Sequence, residues 1–198
     1  MSLLDQIESQ PRRTDGQPPP VRVNVQGVDG IGKSTFGANA PSPIFIQCES
    51  NGWSGPQDKA AGYGAFYVAE ENAWRKLLQG LNICFEERNM NIILLSHVGD
   101  KTIVDPTVGE YHAFQMRSNK KVNSLIKDWV DFNVFADYDK SVNDGKPKSH
   151  GNRLLHTKYA MGFEAKSRLT LPSQLPLEWD SFYQAYLKAL EPSTKEAA

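Results

Sequence analysis

The spacing of hydrophobic and polar residues predicts that regular structure begins near residue 21. Residues 21–25 read Val-Arg-Val-Asn-Val, which places three valines on one face of an extended strand. A glycine-rich stretch follows, and residues 33–40 fit the first turns of a helix that Pro41 ends. The apolar run at residues 43–49 predicts a second strand. Strand, loop, helix and strand in this order form the first unit of an α/β domain.

The same alternation of elements continues towards the C-terminus. Residues 69–89 repeat apolar side chains at helical spacing, and the continuous apolar run at 91–98 predicts a buried strand. The polar segment 100–121 is interpreted as a long loop. Further elements are predicted at 122–130 (helix), 131–138 and 152–159 (strands joined by the turn-rich residues 141–151) and 177–190 (amphipathic helix). We therefore expect an α/β fold with a mostly parallel sheet and helices on both faces.

Three parts of the chain differ in composition. Residues 1–20 are rich in charge and proline and are predicted to be a flexible or oligomer-contacting N-terminal arm. Residues 21–190 form the predicted core, and residues 191–198 a frayed tail.

Charge and hydropathy exclude several classes of protein. The 198 residues carry a formal net charge of -1, so no general positive field attracts nucleic acid. No apolar run reaches the length of a membrane span, and we expect no membrane partner and a cytoplasmic location. Cys48 and Cys84 are interpreted as small buried hydrophobic residues and not as a disulfide or a metal site.

The glycine-rich stretch has the spacing of a phosphate-binding loop, G-x-x-x-x-G-K-S. Glycine lets backbone N–H groups approach a phosphate chain, the lysine ammonium faces the β- and γ-phosphates, and the serine hydroxyl is a ligand for Mg²⁺. ATP and Mg²⁺ are therefore the predicted cofactors. The predicted nucleotide-binding residues are Gly27, Val28, Asp29, Gly30, Ile31, Gly32, Lys33, Ser34 and Thr35, with Lys33 catalytic and Ser34 the metal ligand.

Two candidate catalytic residues follow predicted strands, where ligands of parallel sheets bind. Glu49 could polarise the water that attacks the γ-phosphate, or be an ordinary exposed acid at a strand end. His97 could detect the γ-phosphate and signal to the segment that follows, or be a structural histidine.

The segment 100–121 combines basic and aromatic residues in a way that suits single-stranded DNA. Arg117, Lys120 and Lys121 could neutralise phosphates, while Tyr111 and Phe114 could stack on bases. A solvated charged loop explains the same spacing equally well. A further basic pair, Lys166 and Arg168, could reach the γ-phosphate of a neighbouring subunit in an oligomer, or simply lie on the surface.

Together these motifs resemble a known family. The order "GVDGIGKST", "PIFIQCE", "NIILLSH" and "AKSRLTLP" resembles the RecA-like core ATPases of phages of the single-strand annealing type, also described as phage nucleotide-binding or AAA-family ATP-binding proteins. The resemblance covers roughly residues 20–180.

The resemblance implies a RecA-like P-loop NTPase that acts on single-stranded DNA in phage annealing or recombination. It implies a homo-oligomer in the host cytoplasm, beside a single-strand-binding protein. By position, Glu49 is similar to the catalytic glutamate of the family and His97 to its sensor. Likewise, 100–121 is similar to a DNA-binding loop, and Lys166 and Arg168 to the trans-acting pair.

One element of the family pattern is missing. RecA-like enzymes have a strand ending in an aspartate, Walker B, which holds Mg²⁺ through water. Residues 50–61 contain no apolar strand, and Asp137, which follows an apolar strand, comes after the sensor strand and is interpreted as a strand-end acid. The resemblance therefore supports ATP binding more strongly than hydrolysis.

Two other functions remain open. The phosphate loop also resembles that of thymidylate kinases, but their Asp-Arg-aromatic motif and arginine-rich lid are not found, and the sequence has no Asp-Arg pair. The third function is that of a nucleotide-binding, DNA-organising protein without turnover.

Overall fold

The computed structural model describes residues 2–9, 16, 18–46, 65–143 and 146–191. The described helices are α1 (Leu3–Glu8), α2 (Lys33–Ala38), α3 (Ala65–Arg88), α4 (Lys120–Trp129) and α5 (Trp179–Leu190). The described strands are β1 (Arg22–Gly27), β2 (Ile92–Asp105), β3 (Gly109–Met116), β4 (Phe132–Asn143), β5 (Lys146–His156), β6 (Lys166–Ser167) and β7 (Gln174–Pro176). The chain is thus a mixed α/β protein.

The strands form one sheet in the order β3-β2-β1-β4-β5-β7, with β6 also paired to β4. β1 runs parallel to both β2 and β4, and the other four pairings are antiparallel. The expected mostly parallel sheet is therefore corrected to a mixed sheet with a parallel centre. Direct reversals between β2 and β3 and between β4 and β5 make those neighbours antiparallel, because a short connection cannot cross over to a parallel position.

Helices cover both faces of the sheet, as the sequence predicted. On one face the valines of β1 are fully buried against Phe36 of α2 and against Trp179 and Phe182 of α5. On the other face Val122 and Ile126 of α4 form a second cluster, to which α3 contributes Trp74. The parallel strands are thus buried on both sides, as parallel sheets generally are.

Two of the polar residues that interrupt β1, Arg22 and Asn24, have partners within the protein. Arg22 pairs with Asp131 at 3.1 Å, and its guanidinium lies 4.6 Å from the centre of the Phe85 ring. Asn24 is fully buried; its Nδ2 donates to Asn133 Oδ1 at 2.7 Å, and its Oδ1 accepts from Ser96 Oγ at 2.7 Å. Neighbouring strands supply these partners, so a polar alternation is compatible with a central strand.

The segment 100–121 is not a loop, which corrects the interpretation from sequence. Residues 98–116, here called the first arm, form a hairpin in which Val98 pairs with Met116 and Asp105 with Gly109. Asp105 Oδ1 accepts from the backbone N of Thr107 at 2.7 Å, which closes the tip. The backbone N–H of Val108 donates to the same oxygen, and the two hydrogen bonds lower the pKa of Asp105. Alternating side chains on both sides of Asp-Pro-Thr-Val-Gly were the signal for this hairpin.

A second arm follows the same plan. Residues 137–143 of β4 pair with residues 146–154 of β5, so the turn-rich segment is mostly strand, contrary to expectation. Gly27 at the end of β1 is level with His97 of β2 and Ala136 of β4. Because β2 and β4 both continue beyond that level, the two arms extend from the same edge of the sheet and flank the loop after β1.

The second predicted strand and the two cysteines can also be compared with the structure. Residues 43–46 of the predicted second strand have no regular structure, and residues 47–49 lie outside the described residues, as does Cys48. Cys84 is half-buried, and burial raises the pKa of its thiol.

Near the N-terminus, α1 is capped by Ser2, and Tyr186 Oη donates to Pro19 O at 2.9 Å. The division at residue 20 stays a prediction. None of the described helices is both long and apolar enough to cross a bilayer.

Candidate functional site

The glycine-rich loop leaves the sheet at the end of β1, where Gly27 lies level with Ala136 of β4. A Cβ built on Gly27 would lie 2.6 Å from the carbonyl oxygen of Ala136, so a side chain there would push the two strands apart. The first glycine of the motif is therefore required by packing between strands. Ile31 is fully buried in the core and anchors the middle of the loop.

Two later glycines give the loop its shape. Gly30 has φ 74° and Gly32 has φ 108°, a region that residues with a Cβ rarely adopt. No atom lies within 4 Å of a Cβ built on Gly30, so this part of the loop faces open space. The backbone is thus positioned to approach a ligand closely, as the motif predicts.

Lys33 begins α2, as the sequence predicted, and its side chain turns back over the loop. Its Nζ donates to the carbonyl oxygens of Gly27 and Val28, each at 2.8 Å, and the residue is 7% exposed. Ser34 and Thr35 are exposed at the start of α2. The lysine ammonium is therefore held beside the glycine backbone, where a phosphate chain would have to lie.

His97 contacts the loop from the side of β2. Its Nδ1 lies in direct contact with Asp29 Oδ1, and its carbonyl oxygen accepts from the backbone N of Arg117 at 2.8 Å. The residue thus joins the loop to the end of β3, where the first arm returns to the sheet. This position agrees with the sensor role predicted for His97, which stays a prediction.

Arg153 contacts the other side of the loop and was not identified from the sequence. A Cβ built on Gly32 would lie 2.7 Å from Arg153 Nη1. Little in the residue pattern signals this contact, because the two residues are 121 positions apart in the sequence and only strand pairing brings β5 beside the loop.

Glu49 and Asp137 are the two acidic residues that the sequence placed after predicted strands. Glu49 lies outside the described residues, and its catalytic role stays a prediction. Asp137 lies one residue beyond Ala136 on β4, and both its oxygens accept from Lys140 Nζ, at 2.7 and 2.9 Å. Asp137 is thus at the loop end of the sheet, although an ion pair within the second arm already engages it.

Arg168 lies at the end of the sheet opposite the loop, and Lys166 lies level with the middle of β1. Lys166 is level with Asn133, and Arg168 pairs with Asp131 at 3.0 Å. Asp131 hydrogen-bonds Arg22, five residues before Gly27, which places Arg168 about 16 Å from the loop at about 3.3 Å per residue. Lys166 Nζ donates to Lys127 O at 3.1 Å, so both cations are engaged away from their own subunit's loop, and the predicted role in a neighbouring subunit stays a prediction.

The predicted DNA-binding cations gather where the first arm meets α4. Arg117, Lys120 and Lys121 are all exposed, and Lys121 is 3.8 Å from Glu71. Asn119 caps α4 by accepting from the backbone N of Val122, which fixes the start of the helix that carries both lysines. This arrangement forms a local basic patch next to the carbonyl of His97.

The two predicted stacking rings have different surroundings. Phe114 stacks on Phe135, with ring centres 5.8 Å apart, and Phe135 stacks on Phe163. One face of Phe114 is thus occupied by the protein itself. Tyr111 hydrogen-bonds Tyr159 at 3.0 Å, and this bond raises the pKa of Tyr111 to about 12.

The residues present suit a nucleotide with Mg²⁺. In the described ranges, no group of three or more His, Cys, Asp and Glu side chains is placed to hold a metal ion. Mg²⁺ bound with a nucleotide takes one or two protein oxygens and completes its shell with phosphate and water. The exposed Ser34 hydroxyl beside the open glycine loop fits that requirement.

Comparison with known proteins adds independent information. A family model described as AAA domain matches residues 51–169, more than half of the chain. The matched range begins after the glycine-rich loop, so the family match and the loop geometry are separate observations. No curated protein and no solved structure matches the chain.

Proposed function

The chain belongs to the AAA domain family of P-loop NTPases, and on that premise we propose that it is an ATP-dependent protein that acts on single-stranded DNA. The family indicates nucleotide binding and ATPase activity. One observation carries the proposal for this chain: Lys33 is held over an open glycine loop that lies between two β-hairpin arms.

ATP would bind with its phosphates along the loop backbone. Lys33 would exchange its two carbonyl contacts for phosphate oxygens, which are better partners because they are charged. Ser34 would hold Mg²⁺, which neutralises charge on the terminal phosphates when bound. His97 would report the loop's state to the first arm through Asp29.

Single-stranded DNA would lie along the basic patch at the base of the first arm. Arg117, Lys120 and Lys121 would contact phosphates, and Tyr111 would offer a ring for stacking. The net charge of -1 favours such a local patch over contact with the whole surface.

Three finer features belong to the same proposal. The protein would work in phage annealing or recombination in the host cytoplasm, beside a single-strand-binding protein. It would form a homo-oligomer in which Lys166 and Arg168 face the nucleotide of a neighbour. Support comes from the sequence resemblance and from the location of both residues away from their own loop.

The test combines nucleotide binding with turnover. Titration of a fluorescent ATP analogue should give saturable, Mg²⁺-dependent binding that Lys33→Ala weakens by about 2–4 kcal/mol, because a charged hydrogen-bond donor is lost. The exposed Lys76→Ala on α3 is the matched control and should bind as the parent does. Unchanged binding in Lys33→Ala would refute the site.

Turnover separates the remaining functions. Phosphate release that rises on adding a single-stranded oligonucleotide supports the proposed function. Phosphorylation of a nucleoside monophosphate without any DNA effect would identify a kinase instead. Nucleotide and DNA binding without phosphate release would identify a DNA-organising protein.

A further inference from the structure

Arg153 stands at the base of the second arm, and its guanidinium covers one end of the phosphate loop. A Cβ built on Gly32 would lie 2.7 Å from Nη1 and 3.7 Å from Cζ, so the guanidinium packs directly on the loop backbone. The backbone of Arg153 is fixed on both sides. It pairs with Tyr138 of β4, and its carbonyl oxygen accepts from Leu177 N at 3.0 Å. A paired strand therefore delivers this side chain to the loop.

The charge of Arg153 is not neutralised by the part of the chain that the structure describes. No described carboxylate forms an ion pair with its guanidinium, and the residue is exposed beside the loop. Next to Gly32, the Lys33 ammonium is almost buried. The exposed Arg153 guanidinium and the Lys33 ammonium thus converge on one short loop, an arrangement that attracts a multiply charged anion.

We propose that Arg153 is a ligand in cis for the phosphate chain of the nucleotide. This inference rests on the proposed nucleotide binding and adds a residue to that site. Lys33 covers the start of the loop at Gly27 and Val28, while Arg153 covers its end at Gly32, so a phosphate chain on the loop lies between the two cations. The planar guanidinium can donate two parallel hydrogen bonds to phosphate oxygens, a geometry that an ammonium cannot provide.

The position of Arg153 places its guanidinium beside the phosphates of a bound nucleotide and not beside the base. Its contact is to Gly32, one residue before the lysine that faces the β- and γ-phosphates in this motif. Inorganic tripolyphosphate carries those phosphates without base or sugar, and it therefore isolates the contact.

The experiment measures displacement of a fluorescent ATP analogue by ATP and by inorganic tripolyphosphate, both with Mg²⁺. Arg153→Ala should weaken both competitors by a similar factor, about tenfold or more, because a charge-assisted pair is lost. Arg153→Lys should recover part of the affinity, since it keeps the charge but not the fork. Arg75→Ala, on α3 and paired with Glu71 at 2.7 Å, is the charge-matched control and should bind as the parent does.

Each other outcome overturns a defined statement. Parent-like affinity in Arg153→Ala overturns the inference and leaves the proposed function standing. Weakened ATP with unchanged tripolyphosphate assigns Arg153 to the base or sugar and also overturns it. If Arg153→Lys loses as much affinity as Arg153→Ala, and both variants have a lowered Tm in the absence of nucleotide, the role of Arg153 is structural and the inference is overturned. A parent that binds neither competitor overturns the proposed function and this inference together.

Discussion

His97 Nδ1 contacts Asp29 Oδ1, so the end of the buried half of β2 touches the phosphate loop from the side. The carbonyl of the same histidine accepts from Arg117 N, the first residue after β3. A movement of the loop on nucleotide binding can therefore reach the basic patch through one residue. This is a physical connection between two proposed sites, and it can be tested by breaking it.

Loss of the His97 side chain should uncouple nucleotide from DNA. ATP should tighten binding of a single-stranded oligonucleotide to the parent, and His97→Ala should remove that effect while still binding ATP. His112→Ala is a matched control, because His112 makes a similar contact with Asp100 at 3.0 Å on the exposed arm. Fluorescence anisotropy with and without ATP measures the ratio of the two affinities. A ratio that His97→Ala leaves unchanged would rule out the connection.

The basic patch should set the salt dependence of DNA binding. Replacing Arg117, Lys120 and Lys121 by Ala should weaken binding. It should also make the negative slope of log K against log salt shallower by up to about 2, at about 0.7 per phosphate contact on a single strand.

A control triple variant, Lys76→Ala with Arg88→Ala and Lys188→Ala, removes the same charge from α3 and α5 and should keep the parent's slope. Parent-like affinity and slope in the patch variant would mean that DNA binds elsewhere.

Arg168 should act only in an assembly. Its partner Asp131 also pairs with Arg22, and the side chain is 45% exposed, so Arg168→Ala should change stability by less than about 1 kcal/mol. ATP binding should stay near the parent's value while turnover falls.

Mixing Arg168→Ala with Lys33→Ala subunits should restore part of the turnover, because each supplies what the other lacks at some interfaces. Full activity in a strictly monomeric protein would contradict this arrangement.

The buried amide of Asn24 should be important for stability. Asn24→Ala leaves the buried Asn133 Oδ1 and the half-buried Ser96 hydroxyl without their partner, which should cost about 2–4 kcal/mol. Urea denaturation measures the loss. In a double-mutant cycle, Asn24→Ala and Asn133→Ala should couple by about 1 kcal/mol, since they share one hydrogen bond. Additive effects would show that the bond contributes no net stability.

The sequence by itself determined the elements whose causes are local. Gly27 to Ser34 specify the phosphate loop because glycine conformation and the lysine position act within eight residues. The apolar spacing of β1 and α5, and helices on both faces, followed from periodicity in the same way. His97 was selected because it follows an apolar run, where ligands of such sheets bind, and the structure places it against Asp29 of the loop, while its sensor role stays a prediction.

Tertiary structure decided everything that depends on which strands pair. The first arm was taken for a loop because its polar strands bury little, and only the ladder from Val98–Met116 to Asp105–Gly109 makes them regular. The antiparallel pairing of β5 with β4 places Arg153 on Gly32, and the pairing of β6 with β4 places Lys166 level with Asn133, in the middle of the sheet. Contacts of this kind depend on the register between strands that are distant in the sequence. The residue spacing along one segment does not determine that register.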